Sequence, residues 1–210
     1  MIKRDYYTAG WSEVYNLVEK ISIEFKDGSV VSGSEILESF SIKGTDESDV
    51  LYGTEEPDIL IGKKGNDYLN GGSGRDLYIF NPGDGQDVVQ NRESQGIYNG
   101  DVLNFKTDKE NIVFFRNNND LIIGYSNNDF VKVLDQFKDE NSGIERIEVK
   151  DGYYITRWDI ENIVNAMIDF TNDKGMSYAE IYNNLLNNQN FNMLLSQSWS
   201  KSWVDSMGVT

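Results

Sequence analysis

The chain has 210 residues, 39% hydrophobic and 12% aromatic, enough apolar side chain for one compact domain or two small ones rather than a disordered tail. Lys plus Arg is 19 against 35 for Asp plus Glu, a formal charge of -16 that a nucleic-acid backbone or an anionic membrane would repel and bound hard cations would relieve. With no His and no Cys, Ser-His-Asp chemistry, His- or Cys-ligated zinc, thiolate nucleophiles and disulfides are excluded.

The opening MIKRDYYTAGW is basic but lacks an apolar core, so it is not expected to be a signal peptide. No run approaches the roughly 18 apolar residues of a membrane span. Residues 21–40, ISIEFKDGSVVSGSEILESF, read as a strand, an Asp-Gly turn, a second strand and the start of a helix.

From Gly44 the chain repeats every nine residues: GTDESDVLY, GTEEPDILI, GKKGNDYLN, GGSGRDLYI. Gly44, Gly53, Gly62 and Gly71 open the blocks. Asp49, Asp58, Asp67 and Asp76 hold the sixth place, and Leu51, Leu60, Leu69 and Tyr78 the eighth. After the insertion Phe80-Asn81, PGDGQDVVQ fits as a fifth block with Gly83, Gly85, Asp87 and Val89 in phase. Such a period predicts a coil in which six Gly-rich residues turn and three form a strand with its central side chain inward. Residues 18 apart then stack at about 4.8 Å, placing Asp49 over Asp67, Asp58 over Asp76 and, across the insertion, Asp67 over Asp87. Unshielded carboxylates about 5 Å apart repel by roughly 3 kcal/mol at an effective dielectric near 20, so a cation between them is expected. Aspartates that merely cap tight turns are the competing reading, but capping needs no fixed period.

These blocks resemble the nonapeptides of RTX (repeats-in-toxin) proteins, which form calcium-bound parallel β-rolls. The resemblance implies a ligand set of carbonyls and carboxylates. The first site takes Gly44, Asp46, Ser48 and Asp49 with Lys63, Gly65 and Asp67. The second takes Gly53, Glu55, Pro57 and Asp58 with Gly72, Gly74 and Asp76; the third takes Gly62, Lys64, Asn66 and Asp67 with Gly83, Gly85 and Asp87. About three calcium ions are therefore expected, each with six to eight oxygen ligands. Thr45, Thr54, Glu47 and Glu56 depart from glycine where no earlier block needs serving. Lys63 departs where the first site does need it, which weakens that site.

Residues 101–157 alternate like strands separated by polar turns: DVLNF, IVFF, LIIGY, FVKVLDQF and then IERIEVKDGYYIT. Aligning Lys150-Asp151-Gly152 with Lys26-Asp27-Gly28 places Ile147 on Ile23, Val149 on Phe25 and Ile160 on Ile36, so the order is cap, roll, cap. The segment resembles the haemolysin-type calcium-binding-related domain that follows RTX repeats, through Asp120–Ile123, Val131–Val133, Phe137, Ile144–Ile147, Asp151-Gly152 and Ile160. The partial copy ahead of the roll implies that residues 1–40 begin mid-repeat, in a piece of a longer protein.

From Asp159 the period becomes helical, with Ile160, Ile163, Val164, Met167 and Phe170 on one face. Ser177-Tyr178-Ala179-Glu180 is a capping-box signal for a second helix through Ile181, Tyr182 and Leu185, followed by Phe191, Leu194, Leu195, Trp199 and Trp203. One reading is a helical lid on the β region. The other, which follows from the RTX resemblance, is an uncleaved signal for a type I secretion ABC transporter. A segment unfolded during export and docked afterwards serves both.

No nucleophile motif surrounds Ser196, Ser198, Ser200, Ser202 and Lys201, and Asp135 with Asp139 or Glu140 reads as a solvated turn rather than a glycosidase pair, so an enzyme is not expected. The aromatics Tyr98, Phe114, Phe115, Tyr125, Tyr153, Tyr154 and Trp158 would suit either a core or a surface protein or glycan ligand. The expected fold is mainly β, a short parallel β-roll with β-rich capping segments and a C-terminal helical tail. Its divisions fall at 1–40, 41–92, 93–158 and 159–210. The expected function is a calcium-binding module that folds on extracellular calcium and supports type I secretion of a bacterial exoprotein, secreted or at the cell surface. A calcium-dependent adhesin or ligand-binding module is the alternative.

Overall fold

The computed structural model of the chain describes residues 18, 20–91, 100–139, 142–167 and 175–201. Residues 1–17 and the expectations placed on Tyr98, Glu140, Phe170, Ser202 and Trp203 lie outside them.

The nine-residue period builds short strands that alternate between two sheets. β3 (Ile42–Lys43), β5 (Ile59–Ile61) and β7 (Leu77–Phe80) stack in one; β4 (Val50–Tyr52), β6 (Tyr68–Asn70) and β8 (Gln86–Val89) stack in the other. All these pairs are parallel, in the register Ile42↔Leu60, Val50↔Tyr68 and Ile59↔Leu77. The Phe80-Asn81 insertion is absorbed in the turn, giving Tyr68↔Val88. Eighth-position side chains point between the sheets, where Leu60, Leu69, Tyr78 and Val89 are buried in the main core.

The coil continues past the repeats. β9 (Val102–Phe105) pairs in parallel with β7, and β13 (Arg146–Val149) in parallel with β9. In the other sheet β12 (Phe130–Val133) runs parallel to β8 and carries the antiparallel pair β10 (Val113–Asn117) and β11 (Asp120–Gly124) beside it. β14 (Tyr153–Thr156) and β15 (Ser200–Lys201) finish the first sheet antiparallel. The sheets therefore run six and seven strands without a break at the end of the nonapeptides. Phe80, Phe105 and Tyr125 extend the core there, with ring centroids 5.2 Å apart for the first pair and 4.9 Å for the last two.

At the N-terminal side β1 (Ser22–Glu24) and β2 (Val30–Ser32) form a hairpin, and α1 (Gly33–Ser39) follows through a capping box of Ser32 and Glu35. Leu37 of α1 packs on a second cluster of Ile59, Leu77, Ile79 and Val102. At the other side α2 (Arg157–Ala166) starts on the Thr156–Asp159 capping box and buries Ile160, Ile163 and Val164. α3 (Tyr178–Leu186) starts on Ser177 and Glu180, and α4 (Gln189–Ser198) on Asn188. Tyr178 meets Phe115 edge-on at 5.6 Å and Phe191 meets Phe114 at 5.7 Å, so α3 and α4 cover β10 as a lid. Burial of a ring such as Phe191 stabilises this contact by about 2–3 kcal/mol. No helix among the described residues is long and apolar enough to cross a membrane.

Candidate metal centre

Stacked turns bring the sixth-position aspartates into two ladders. The Asp49 amide donates to Asp67 Oδ1 at 2.8 Å, and the Asp67 amide to Asp87 Oδ1 at 2.9 Å. In the second ladder the Asp58 amide donates to Asp76 Oδ1 at 3.0 Å, and the Asp76 amide to Asp101 Oδ1 at 2.7 Å. Each carboxylate is thus held by the backbone of the preceding turn, with its other oxygen folded back over its own block. That fold-back requires glycine at the first position, because a Cβ on Gly62 would stand 2.2 Å from Asp67 Oδ2.

The second and fourth positions of the third, fourth and fifth blocks have left-handed backbone: Lys63, Gly65, Gly72, Gly74, Gly83 and Gly85 have φ between 70° and 138°. Gly65, Gly72, Gly74 and Gly85 lie against the loop two blocks earlier, as where a Cβ on Gly72 would meet the Thr54 carbonyl oxygen at 2.1 Å. The first two blocks are built differently. Thr45 wraps Asp49 Oδ2 with its amide at 2.6 Å and its hydroxyl at 2.9 Å, and Thr54 does the same to Asp58. In the sequence these threonines stand out as departures from glycine; their spacing four residues before an aspartate in consecutive blocks is the signal of this second role.

The turns that carry the residues expected at each site lie against one another. In the first, Lys64 pairs with Asp46 at 3.2 Å and the Asn66 amide donates to Ser48 Oγ, while Gly65 lies against Glu47. In the second, Gly72 lies against Thr54 and Gly74 against Glu56, so the turns carrying Gly53, Glu55, Pro57 and Asp58 adjoin that of Asp76. In the third, Gly65 bridges Gly85, the Gly65 amide donates to the Asp84 carbonyl, and the Gln86 amide donates to Asn66 Oδ1. Gly44, Gly62 and Gly83 sit in the same turns.

Charge accumulates down the first ladder. Asp67, Asp84, Asp87 and Asp129 are all buried. Burial, followed by the neighbouring carboxylates of Asp67, Asp84 and Asp129, pushes the Asp87 carboxyl up to about 8, and burial also raises Asp67 and Asp84. Asp84 and Asp129 were not singled out by the period. Asp84 accepts from the Asn81 amide at 2.7 Å; Asp129 accepts from the Gly83 amide at 2.8 Å and Ser126 Oγ at 2.6 Å, tying β12 to the fifth block. The second ladder ends differently. Asn91 Nδ2 donates to Asp101 Oδ2, and the next residue in line, Glu145, meets the Arg157 guanidinium at 3.4 Å. Arg157 also donates to the carbonyls of Ser142, Gln136 and Asp139. An amide and a guanidinium close that ladder.

The donor set fits a hard cation. Asp67 Oδ2 is buried and receives no hydrogen bond, an arrangement that costs several kcal/mol unless a positive charge faces it. Among the described residues no three carboxylates converge on one point, so backbone carbonyls of the turns have to complete the six to eight oxygens that calcium takes. Of the aromatics considered as ligand surface, Phe114, Phe115 and Tyr125 are buried, Tyr153 and Tyr154 half-buried, and Trp158 is exposed.

A stacked coil with oxygen-only turns and aspartates in register defines a calcium-binding repeat. Residues 43–78 match the RTX calcium-binding nonapeptide repeat family over four copies. This part of the chain is an RTX calcium-binding region. No curated protein matches the chain.

Proposed function

We propose that the chain is the calcium-triggered folding unit of a bacterial protein exported by a type I route, with about three ions in its turns. The observation that carries this reading is the buried Asp67–Asp87 rung, whose carboxylates have too few donors to remain ionised together without a cation.

Asp49, Asp67 and Asp87 in one ladder and Asp58 and Asp76 in the other hold the ions, with the carbonyls of the first, third and fifth positions and of the glycine-rich second and fourth positions two blocks on. Calcium supplies the positive charge that turns carboxylate repulsion into attraction. Extracellular calcium modules have dissociation constants of about 10⁻⁴ to 10⁻³ M, so the ladders repel inside a cell and close outside it. At a hundred times the dissociation constant each site contributes about 2.7 kcal/mol. Residues 159–210 then act as the export signal and dock as the lid afterwards. The haemolysin-type resemblance of residues 120–160 agrees with a cap that folds onto the finished roll.

No catalytic role belongs to this reading. Ser196 and Ser198 give their hydroxyls to the carbonyls of Met193 and Leu194, and Asp135 pairs with Lys138 at 3.0 Å. Limited proteolysis tests the proposal: cleavage within residues 43–105 in chelator and resistance there in calcium are expected. Resistance in both conditions contradicts it.

A further inference from the structure

The two ladders leave the nonapeptides with different charge. The second closes on the Asn91 amide and, through Glu145, on the Arg157 guanidinium. The first runs into Asp84, Asp87 and Asp129, each more than nine-tenths buried. Among the described residues no Lys or Arg pairs with any of these three, and Lys132, the base on β12, is held by Asp120 at 3.0 Å.

Asp84 and Asp129 meet at Gly83, the one following it in the chain and the other receiving its amide. Asp84 Oδ2 accepts from the Asn81 amide at 2.7 Å and from Asn81 Nδ2 at 3.3 Å. Asp129 Oδ2 accepts from the Gly83 amide at 2.8 Å and Ser126 Oγ at 2.6 Å. The Oδ1 atom of each receives no hydrogen bond among the described residues. In the first two blocks the amide in Gly83's place, that of Thr45 or Thr54, closes on the aspartate of its own block. In the fifth block it is given to the cap instead. Backbone bonds fix the junction: the Phe130 amide donates to the Gly85 carbonyl at 2.9 Å, and the Tyr125 amide to the Asp129 carbonyl at 3.2 Å.

Tyr125 supplies an independent observation. It is 2% exposed, and its buried hydroxyl has no hydrogen-bond partner. The ring is packed against Phe105 at 4.9 Å and Phe80 at 6.4 Å. Burial, and then the charges of Asp87, Asp84 and Asp129, hold the phenol well above its ordinary range, so the hydroxyl lies within electrostatic reach of all three carboxylates. Buried hydroxyls are normally hydrogen-bonded, so one directed at carboxylates that it does not touch points to a ligand between them.

We propose that a further calcium ion binds at this junction, outside the nonapeptide scheme, held by the carboxylates of Asp84 in the fifth block and Asp129 in the β11–β12 turn. Two carboxylates balance the charge of the ion. No three converge on one point among the described residues, so backbone carbonyls and water complete the shell. Tyr125 is a positioning residue whose hydroxyl accepts from an ion-bound water. Such an ion ties the cap to the roll where the second ladder uses Arg157. The proposal rests on the reading that the chain takes calcium, but neither on the nonapeptide ions nor on the folding trigger.

Native mass spectrometry of the full chain in calcium tests it by counting ions. The double variant Asp84→Asn, Asp129→Asn is expected to bind one ion fewer than the unmodified chain and to keep the same β signal in circular dichroism. Equal counts overturn the proposal, the carboxyls then holding protons instead. One ion in the unmodified chain and none in the double variant would uphold this site while contradicting the nonapeptide sites. Tyr125→Phe leaves both carboxylates and the ring in place, and serves where the double variant fails to fold. It is expected to weaken one ion by about ten-fold, the low end for a group touching a metal's own ligands. Unchanged affinity for every ion in isothermal titration of that variant overturns the proposal.

Discussion

The backbone amide of Asp76 donates to Asp101 Oδ1 at 2.7 Å, the same rung that Asp49 makes to Asp67 and Asp58 makes to Asp76, although Asp101 lies outside the nine-residue period. The rung places the start of β9 under the fourth block and lets the coil pass from repeat into non-repeat sequence. Asp101→Ala is therefore expected to destabilise the calcium-loaded chain by about 2 kcal/mol, the value of a hydrogen bond to a buried charge. Thermal unfolding in saturating calcium checks this, and a midpoint equal to that of the unmodified chain would contradict the continuity of the ladder.

Asp67 occupies two rungs, accepting from Asp49 and donating to Asp87, whereas Asp49 occupies one at an exposed end and is wrapped by Thr45. Asp67→Ala is expected to weaken calcium binding at least about ten-fold more than Asp49→Ala, a difference of about 1.4 kcal/mol. Isothermal titration of both variants decides the matter; equal affinities would refute the sharing of Asp67 between two sites.

Lys63 stands in left-handed backbone at φ 70°, in a place where the following blocks have glycine; the Asp49 carboxyl is lowered chiefly by the Thr45 amide and hydroxyl, and the Lys63 charge adds to that. A non-glycine residue there is strained by about 1–2 kcal/mol, partly offset because glycine is freer in the unfolded chain. Lys63→Gly is expected to raise the affinity of the weakest site several-fold, and Lys63→Gln, which removes charge alone, by less. Identical titration curves for Lys63→Gly and the unmodified chain would remove this account of the first site.

Acid and calcium neutralise the first ladder by different means. Burial and neighbouring carboxylates raise Asp67, Asp84 and Asp87, the last to about 8, while an unfolded Asp titrates near 3.9. Without calcium the folded roll therefore holds more protons than the unfolded chain between these values, and its stability falls as pH rises through that window. Protons then compete with calcium for these carboxylates, so apparent calcium affinity should be lower at pH 5 than at pH 7.5. An affinity indifferent to pH across that range would contradict the burial of these carboxylates.

The turns and ladders of residues 44–90 were legible because each side chain there has one job per nine residues, which leaves the job visible as a period. Asp101 was not, because ten residues intervene between the fifth block, which ends at Gln90, and Asp101, and break the phase. Asp129 and Arg157 act from other elements, and nothing local marks them. For β9, β12 and β13 the alternation of apolar residues was clear, but it is the same for parallel and antiparallel strands, so the sequence showed strands without showing that they continue the coil. The two hairpins were legible from the Lys-Asp-Gly echo alone; what could not be read was that β13 pairs with β9 on its second edge.

Far-UV circular dichroism of the chain, titrated from chelator to about 10 mM calcium with magnesium as control, tests the central claim most directly. The ladders predict a cooperative gain of β signal with calcium and none with magnesium. A spectrum already folded in chelator and unmoved by calcium would contradict them.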